Sequence, residues 1–249
     1  MCVYALLVTH YVLRITNIML TVSNLSFSYG EVQVLRGVDI HVPAETIVSM
    51  MGRNGVGKTT LLNNIVGLLK PSSGSIKIED RELVRVSTHR RIRAGLAYVP
   101  QGRMIFPKLT VEENLRVGLS ARADKRAQIP EEIYELFPIL KEMGGRMGGD
   151  LSGGQQQQLA IGRALVTDPK VLILDEPTEG IQPNIIQQIG VVLRQLVQNG
   201  RLTILIVEQY LDFVREFCQQ FYIMNRGEIV AHGETDALNQ NMIREYLSV

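Results

Sequence analysis

Thr46-Ile47-Val48-Ser49-Met50-Met51-Gly52-Arg53-Asn54-Gly55-Val56-Gly57-Lys58-Thr59-Thr60 decides the fold. Its first half, Thr46 to Met51, is a compact apolar run of the kind a buried strand carries. A glycine-rich turn follows. Leu62, Ile65, Val66 and Leu69 then recur at helical spacing until Pro71, where the helix is expected to stop. Strand, glycine turn and helix make the first half of a parallel βα unit. Gly52 to Thr59 also match G-x-x-x-x-G-K-[ST] in full. Glycines in this pattern let successive backbone N–H groups turn inward around the β- and γ-phosphates of a nucleotide. Lys58 adds a positive charge there, the Thr59 hydroxyl is placed to ligand Mg²⁺, and the helix presents its positive dipole end. Residues 52–60 are thus the candidate phosphate site. A chance glycine turn is the bland alternative, and the strand before it and the helix after it argue against that.

A second apolar strand, Val171-Leu172-Ile173-Leu174, ends in Asp175-Glu176. Two acids after a strand are usually a solvated strand end. Beside a phosphate loop they acquire roles: Asp175 to hold Mg²⁺ through water, Glu176 to orient and polarise the attacking water. After them, Ile185, Ile186, Ile189, Val192, Leu193 and Leu196 mark one face of a helix, and Leu202–Val207 reads as another core strand. Tyr222-Ile223-Met224 and Glu228-Ile229-Val230 flank Asn225-Arg226-Gly227, a hairpin signal.

Other stretches frame this core. From Leu20 to Ile40 the pattern is short and alternating, broken at Tyr29-Gly30 and Arg36-Gly37, which reads as edge strands joined by turns. Residues 85–165 carry more charge and scattered helical periodicity, with four glycines between Glu142 and Asp150, and are read as an inserted, mostly helical lobe. Arg85, Arg90, Arg91 and Arg93 are taken as a solvated face. The expected class is therefore α/β: a phosphate-loop core of mostly parallel sheet flanked by helices, with N-terminal antiparallel strands and an inserted helical lobe.

Bulk properties exclude several alternatives. At 249 residues, with 45% apolar and 20% charged side chains, the chain suits one large domain and not a disordered state. Lys and Arg number 26 against 25 Asp and Glu, so no strong field exists to hold nucleic acid by charge alone. Two cysteines, Cys2 and Cys218, make no disulfide framework, and four histidines show no metal-ligand spacing. No stretch approaches the length of a spanning helix. Residues 1–18 lack the order of a secretory signal and are read as an N-terminal extension, with Met19 a credible start and 19–249 the domain proper.

Leu151-Ser152-Gly153-Gly154-Gln155 narrows the class further. With the phosphate loop and the strand-end acids, it resembles the ATP-binding subunit of ABC transporters over residues 20–249. The resemblance implies ATP and Mg²⁺ as cofactors and a head-to-tail dimer. In it, Ser152, Gly153, Gly154 and Gln155 of one subunit close over the γ-phosphate held by Lys58 of the other. It implies an adenine-stacking aromatic at Tyr29 and, in Tyr98-Val99-Pro100-Gln101, a glutamine that contacts both Mg²⁺ and water at Gln101. A half-buried strand tyrosine and a surface glutamine are the plainer readings of those two.

Departures are equally specific. Most of the family has a Ser-Ala-Leu-Asp stretch where this chain has Glu179-Gly180-Ile181-Gln182, and a histidine where Val207-Glu208-Gln209 places Gln209. Gln209 can donate and accept hydrogen bonds but cannot carry a proton charge. Glu208-Gln209, Pro100-Gln101-Gly102-Arg103 and Leu109-Thr110-Val111-Glu112-Glu113-Asn114-Leu115 resemble ATPases of the branched-chain amino acid import group. Within it, Arg53-Asn54-Gly55-Val56, Ile105-Phe106-Pro107 and Thr178–Pro183 look most like urea-importer ATPases. The implied partners are a second ATPase subunit, identical or homologous, two membrane permease subunits and, indirectly, a periplasmic solute-binding protein. The implied place is the cytoplasmic face of the inner membrane. Urea is the expected solute, with branched-chain amino acids or short-chain amides as the alternative. A soluble ABC-type ATPase of DNA repair or translation, or a regulatory module that binds without hydrolysing, are the rival classes.

Overall fold

The computed structural model describes residues 17–122 and 124–247. Two long strands come first, β1 (Ile18–Tyr29) and β2 (Val32–Pro43), paired antiparallel. The turn expected at Arg36-Gly37 is instead a bulge inside β2. Leu25 pairs with Val38 but Phe27 with Leu35, so one extra residue is accommodated, and Gly37 takes φ +61° there. Glycine adopts that left-handed backbone without a Cβ clash, so the strand bends and continues. Of the expected N-terminal extension, residues 1–16 lie outside the described residues. Asn17 and Ile18 belong to the fold: Ala44 N–H donates to the Asn17 carbonyl and Ile18 pairs with Pro43.

Next come β3 (Ile47–Met51), helix α1 (Lys58–Val66), β4 (Ser73–Ile78) and β5 (Arg81–Glu82). The first sheet has the order β2-β1-β4-β5. Helix α1 ends before Pro71 is reached. Gly67, at φ +88°, turns left-handed and the N–H groups of Gly67, Leu68 and Leu69 all return to the Asn63 carbonyl. A glycine C-cap stops the helix first, and Leu69 packs on the core from outside it.

Helix α2 (Thr88–Arg93) corrects the reading of one member of the arginine group: Arg85, Arg90 and Arg93 are exposed as expected, but Arg91 is not. Arg91 is 1% exposed, and its guanidinium donates to the carbonyls of Asn64, Ile65, Val84 and Val86. It joins the end of α1 to the turn before α2. After α2 the chain re-enters the core as β6 (Leu96–Val99), inside the stretch assigned to the lobe. A strand this short offers too little pattern for periodicity to separate it from helix. Helices follow: α3 (Val111–Leu119), α4 (Glu131–Leu136) and α5 (Pro138–Glu142), with α6 (Gly153–Leu165) touching both α3 and β6.

The remainder is β7 (Val171–Asp175), α7 (Pro183–Gln198), β8 (Thr203–Val207), α8 (Leu211–Phe217), β9 (Gln220–Asn225), β10 (Glu228–Glu234) and the short α9 (Gln240–Met242). The expected hairpin is present. Glu228 pairs with Asn225, and Arg226 and Gly227 take φ +47° and +83°, as a two-residue turn between twisted strands requires. The second sheet runs β10-β9-β3-β8-β7-β6, parallel except for β9-β10.

Every residue of β3, β7 and β8 is buried. Val48, Met50, Ile173 and Val207 face the first sheet and α1, while Ile47, Met51, Leu174 and Ile206 face the helices on the other side. Coverage on both faces is why these strands read as unbroken apolar runs. No helix among the described residues is long and apolar enough to cross a membrane.

Candidate functional site

The order β3-β8-β7-β6 brings four distant segments to one edge. β3 leads into the phosphate loop, β8 into Glu208-Gln209, β7 into Asp175-Glu176 and β6 into Gln101. All four strands are parallel, so their C-terminal ends open together, which is where open α/β sheets hold ligands. A cleft of about 450 Å³ lies there, lined among others by Tyr29, Asn54, Lys58, Thr59, Thr60, Gln101 and Glu176. Tyr29 is half exposed at its mouth and meets Phe27 edge to face, leaving a ring face free for a base.

Backbone shape sets the phosphate loop. Gly52 takes φ +146°, and a Cβ there would lie 2.4 Å from the Met224 carbonyl oxygen, so only glycine fits against β9. Lys58 is almost fully buried and donates from Nζ to the carbonyls of Gly52 at 2.6 Å and Arg53 at 2.8 Å. Burial pulls its pKa below the usual lysine range, against the raising influence of Glu176 and Asp175.

Asp175 is 2% exposed. Burial raises its carboxyl above the usual range, while the Thr59 hydroxyl and the Tyr98 hydroxyl, 3.4 Å from Oδ2, donate to it. Its Oδ1 is buried with no hydrogen-bond partner among the described residues. A hard divalent cation fits that free oxygen beside the Thr59 hydroxyl. Mg²⁺ takes one or two protein oxygens and completes its shell with phosphates and water. This accords with the lack of any cluster of three acid, His or Cys ligands among the described residues.

Glu176 is held from two sides. Its N–H donates to the Val207 carbonyl at 2.9 Å and its φ is +49°, a conformation non-glycine residues seldom keep without local support. Gln209 Nε2 donates to Oε1 at 2.8 Å and Gln101 Nε2 to Oε2 at 3.0 Å. The Gln209 amide also reaches Asn54 Oδ1 of the phosphate loop at 2.8 Å. Two neutral amides thus aim one carboxylate into the cleft.

Several partners escaped the sequence reading. Glu179 accepts from Gln101 through Oε2 and, through its carbonyl, from Arg103. Thr178 donates its hydroxyl to Glu208, which is 3% exposed. The only signals were that Glu179 stands where the family has serine and that an acid directly precedes Gln209. Neither told what it touches.

Ser152 to Gln155 do not line the cleft. They open α6 with a reciprocal cap: Gln155 Oε1 accepts from Ser152 N–H at 2.9 Å, and Ser152 Oγ accepts from Gln155 N–H at 3.4 Å. Within one chain, this helix start and the phosphate loop are separate.

Comparison with known proteins agrees with this geometry. Residues 35–179 match the family model described as ABC transporter. The high-affinity branched-chain amino acid transport ATP-binding protein BraG of Pseudomonas aeruginosa is 42% identical over 225 residues, 90% of this chain and 96% of that protein. A cassette of an ABC transporter solved in its ADP conformation superposes with a TM-score of 0.79 at 30% identity, covering 92% of this chain and 96% of its own. A dimeric post-hydrolysis cassette bound to ADP and Pi gives 0.78 at 26% identity, covering 88% and 100%. The chain belongs to the ABC transporter family, as an ATP-binding subunit whose ATPase activity is coupled to transport.

Proposed function

We propose that this chain energises uptake of a small polar solute, urea in the first reading, by hydrolysing ATP between two cassettes. The observation that carries the hydrolytic reading is the double amide grip on Glu176, from Gln209 at 2.8 Å and Gln101 at 3.0 Å. Glu176 polarises the attacking water, and Gln209 and Gln101 orient both. Lys58 and the glycine backbone of residues 52–57 hold the phosphates, and Tyr29 stacks on adenine. Thr59 and Asp175 would hold Mg²⁺, with Gln101 at its edge; that ion's chemistry is to neutralise phosphate charge. Ser152 to Gln155 close over the nucleotide of a second subunit, identical or homologous. Their separation from this chain's own cleft supports that reading, as does the dimeric relative.

Two permease subunits and, through them, a periplasmic binding protein complete the importer at the cytoplasmic face of the membrane. The near-zero net charge supports a partner set without nucleic acid. Urea rests on Arg53–Val56, Ile105–Pro107 and Thr178–Pro183. Branched-chain amino acids are the second reading, favoured by the likeness to BraG. Uptake of radiolabelled urea and leucine in a deletion strain separates them. Lost urea uptake with normal leucine uptake supports the first reading, and the reverse hands the case to the second.

A further inference from the structure

We infer that Glu208 is a positioning residue for hydrolysis, a buried carboxylate that sets the Gln209 amide on Glu176 and ties it to the Thr178-Glu179 loop. The inference rests on the reading above, in which Glu176 polarises water and Gln209 helps to hold it. β8 ends at Val207, and beyond it the chain turns out of the sheet. Glu208 N–H stays on the neighbouring strand end, donating to the Met50 carbonyl at 3.3 Å. Its side chain folds back inward. Oε1 accepts from the N–H groups of Gln209 at 2.8 Å and Tyr210 at 3.1 Å, and Oε2 accepts from the Thr178 hydroxyl at 2.8 Å. The Thr178 N–H also donates to this carboxylate.

A carboxylate that is 3% exposed and makes no ion pair among the described residues is costly to retain. Ending a strand does not require one. What the charge does here is draw donors from two separate loops onto one group, and those loops carry the partners of Glu176. Gln209 bonds Glu176 directly. Glu179, next to Thr178, shares the Gln101 amide with Glu176. Glu208, Gln209, Glu176, Gln101 and the Thr178-Glu179 loop therefore form a closed circuit around the strand-end acids. Without the Glu208 carboxylate, the Gln209 backbone loses an anchor while its side chain is left intact.

Four variants of the full chain test this: Glu208→Ala, Glu208→Gln, Gln209→Ala and the Glu208→Ala/Gln209→Ala pair, with Glu176→Gln as reference. Turnover is measured with ATP and Mg²⁺, and nucleotide affinity by fluorescent ATP titration. Glu208→Ala is expected to lower kcat roughly 5–150-fold, with ATP affinity changed by less than about threefold, because it releases contacts that act on water and not on the nucleotide. Glu208→Gln keeps an acceptor for the Gln209 and Tyr210 N–H groups and can donate to the Thr178 hydroxyl, giving up only the Thr178 N–H contact, so it should recover most of the loss. In the Gln209→Ala background, Glu208→Ala should cost less than about twofold more, since the side chain it positions is gone.

Multiplicative losses in the pair, a fall in ATP affinity equal to the fall in kcat, or Glu208→Gln as damaging as Glu208→Ala would each overturn the inference. So would wild-type turnover in Glu208→Ala. If Glu208→Ala does not fold, Thr178→Val serves instead. It removes one hydroxyl donor from the same carboxylate and should lower kcat in the wild-type background but not in Gln209→Ala. Equal losses in the two backgrounds, or none in the wild-type one, count against the proposal. Should Glu176→Gln itself turn over normally, it is the reading of the site that fails, whatever the Glu208 series shows.

Discussion

Gln209 Nε2 lies 2.8 Å from Glu176 Oε1, and the same nitrogen lies 2.8 Å from Asn54 Oδ1. One neutral side chain thus joins the strand-end carboxylate to the phosphate loop. The two residues should fail differently when replaced. Removing a general base costs about 10²–10⁴-fold in rate, so Glu176→Gln should nearly abolish ATP turnover. ATP binding should persist through Lys58, Thr59 and Asp175, and an ATP-bound dimer should be visible by size. Gln209→Ala removes an amide contact worth about 1–3 kcal/mol, or roughly 5–150-fold. Steady-state ATPase and dimer content check both. A more damaging Gln209→Ala, or an active Glu176→Gln, reverses the assignment.

A glutamine at this position has no proton to gain or lose near neutrality. Between about pH 6 and 8 the ATPase rate should therefore show no inflection arising from residue 209. Gln209→His introduces an imidazole whose ordinary pKa is about 6.5, and an inflection in that region should appear. Paired pH–rate profiles make the comparison. The same inflection in both proteins would mean that another group governs the profile.

Glu208 also bears on stability. Burial holds its carboxyl above the usual carboxylate range, despite its four donors. The folded state then keeps the proton to higher pH than the unfolded chain, which releases it near about 4.3. The stability this supplies is present below the unfolded value and is lost as pH rises through the folded one. Glu208→Gln carries no titrating group. Its stability relative to wild type should therefore improve as pH rises above about 4.3 and level off once Glu208 is ionised. Urea midpoints across that range measure it, and a variant that declines relative to wild type as pH rises is the contrary result.

Gly190 lies inside α7, where alanine would ordinarily favour the helix by about 1 kcal/mol. Here the Cβ would stand 2.4–2.6 Å from three ring carbons of Phe217, which is fully buried in α8 and covered by the Arg194 guanidinium. Overpacking of that kind costs about 1–3 kcal/mol, and a rigid ring cannot swing aside as a flexible chain end can. Gly190→Ala should therefore lower stability by about 1 kcal/mol or more in urea unfolding. A rise in midpoint would show that α7 and α8 can slide apart.

Much of the site was legible because its parts are local. Gly52 to Thr59 and Asp175-Glu176, which the structure brings to one cleft, each lie at a single strand end, where spacing along the chain is spacing in space. The doubly buried strands were legible for a related reason: covering both faces leaves an unbroken apolar run. β6 was not, since four residues carry no period, and its place in the sheet depends on pairing with β7, whose first residue lies more than seventy positions on. Arg91 was misread because a cation in a charged run looks solvated until the carbonyls at the end of α1 are brought against it.

What the sequence by itself determined is the class: a phosphate loop, two strand-end acids and a helix-capping Ser-Gly-Gly, hence an ATPase cassette. What only the tertiary structure decided is which residues touch Glu176 and which hold those residues in place. Gln101, Gln209, Glu179 and Glu208 lie on three separate loops, and the order β3-β8-β7-β6 alone brings them together. A hydrogen bond acts only within about 3 Å. Contacts between loops that distant in sequence are therefore set by strand order and burial, which no local pattern of residues encodes.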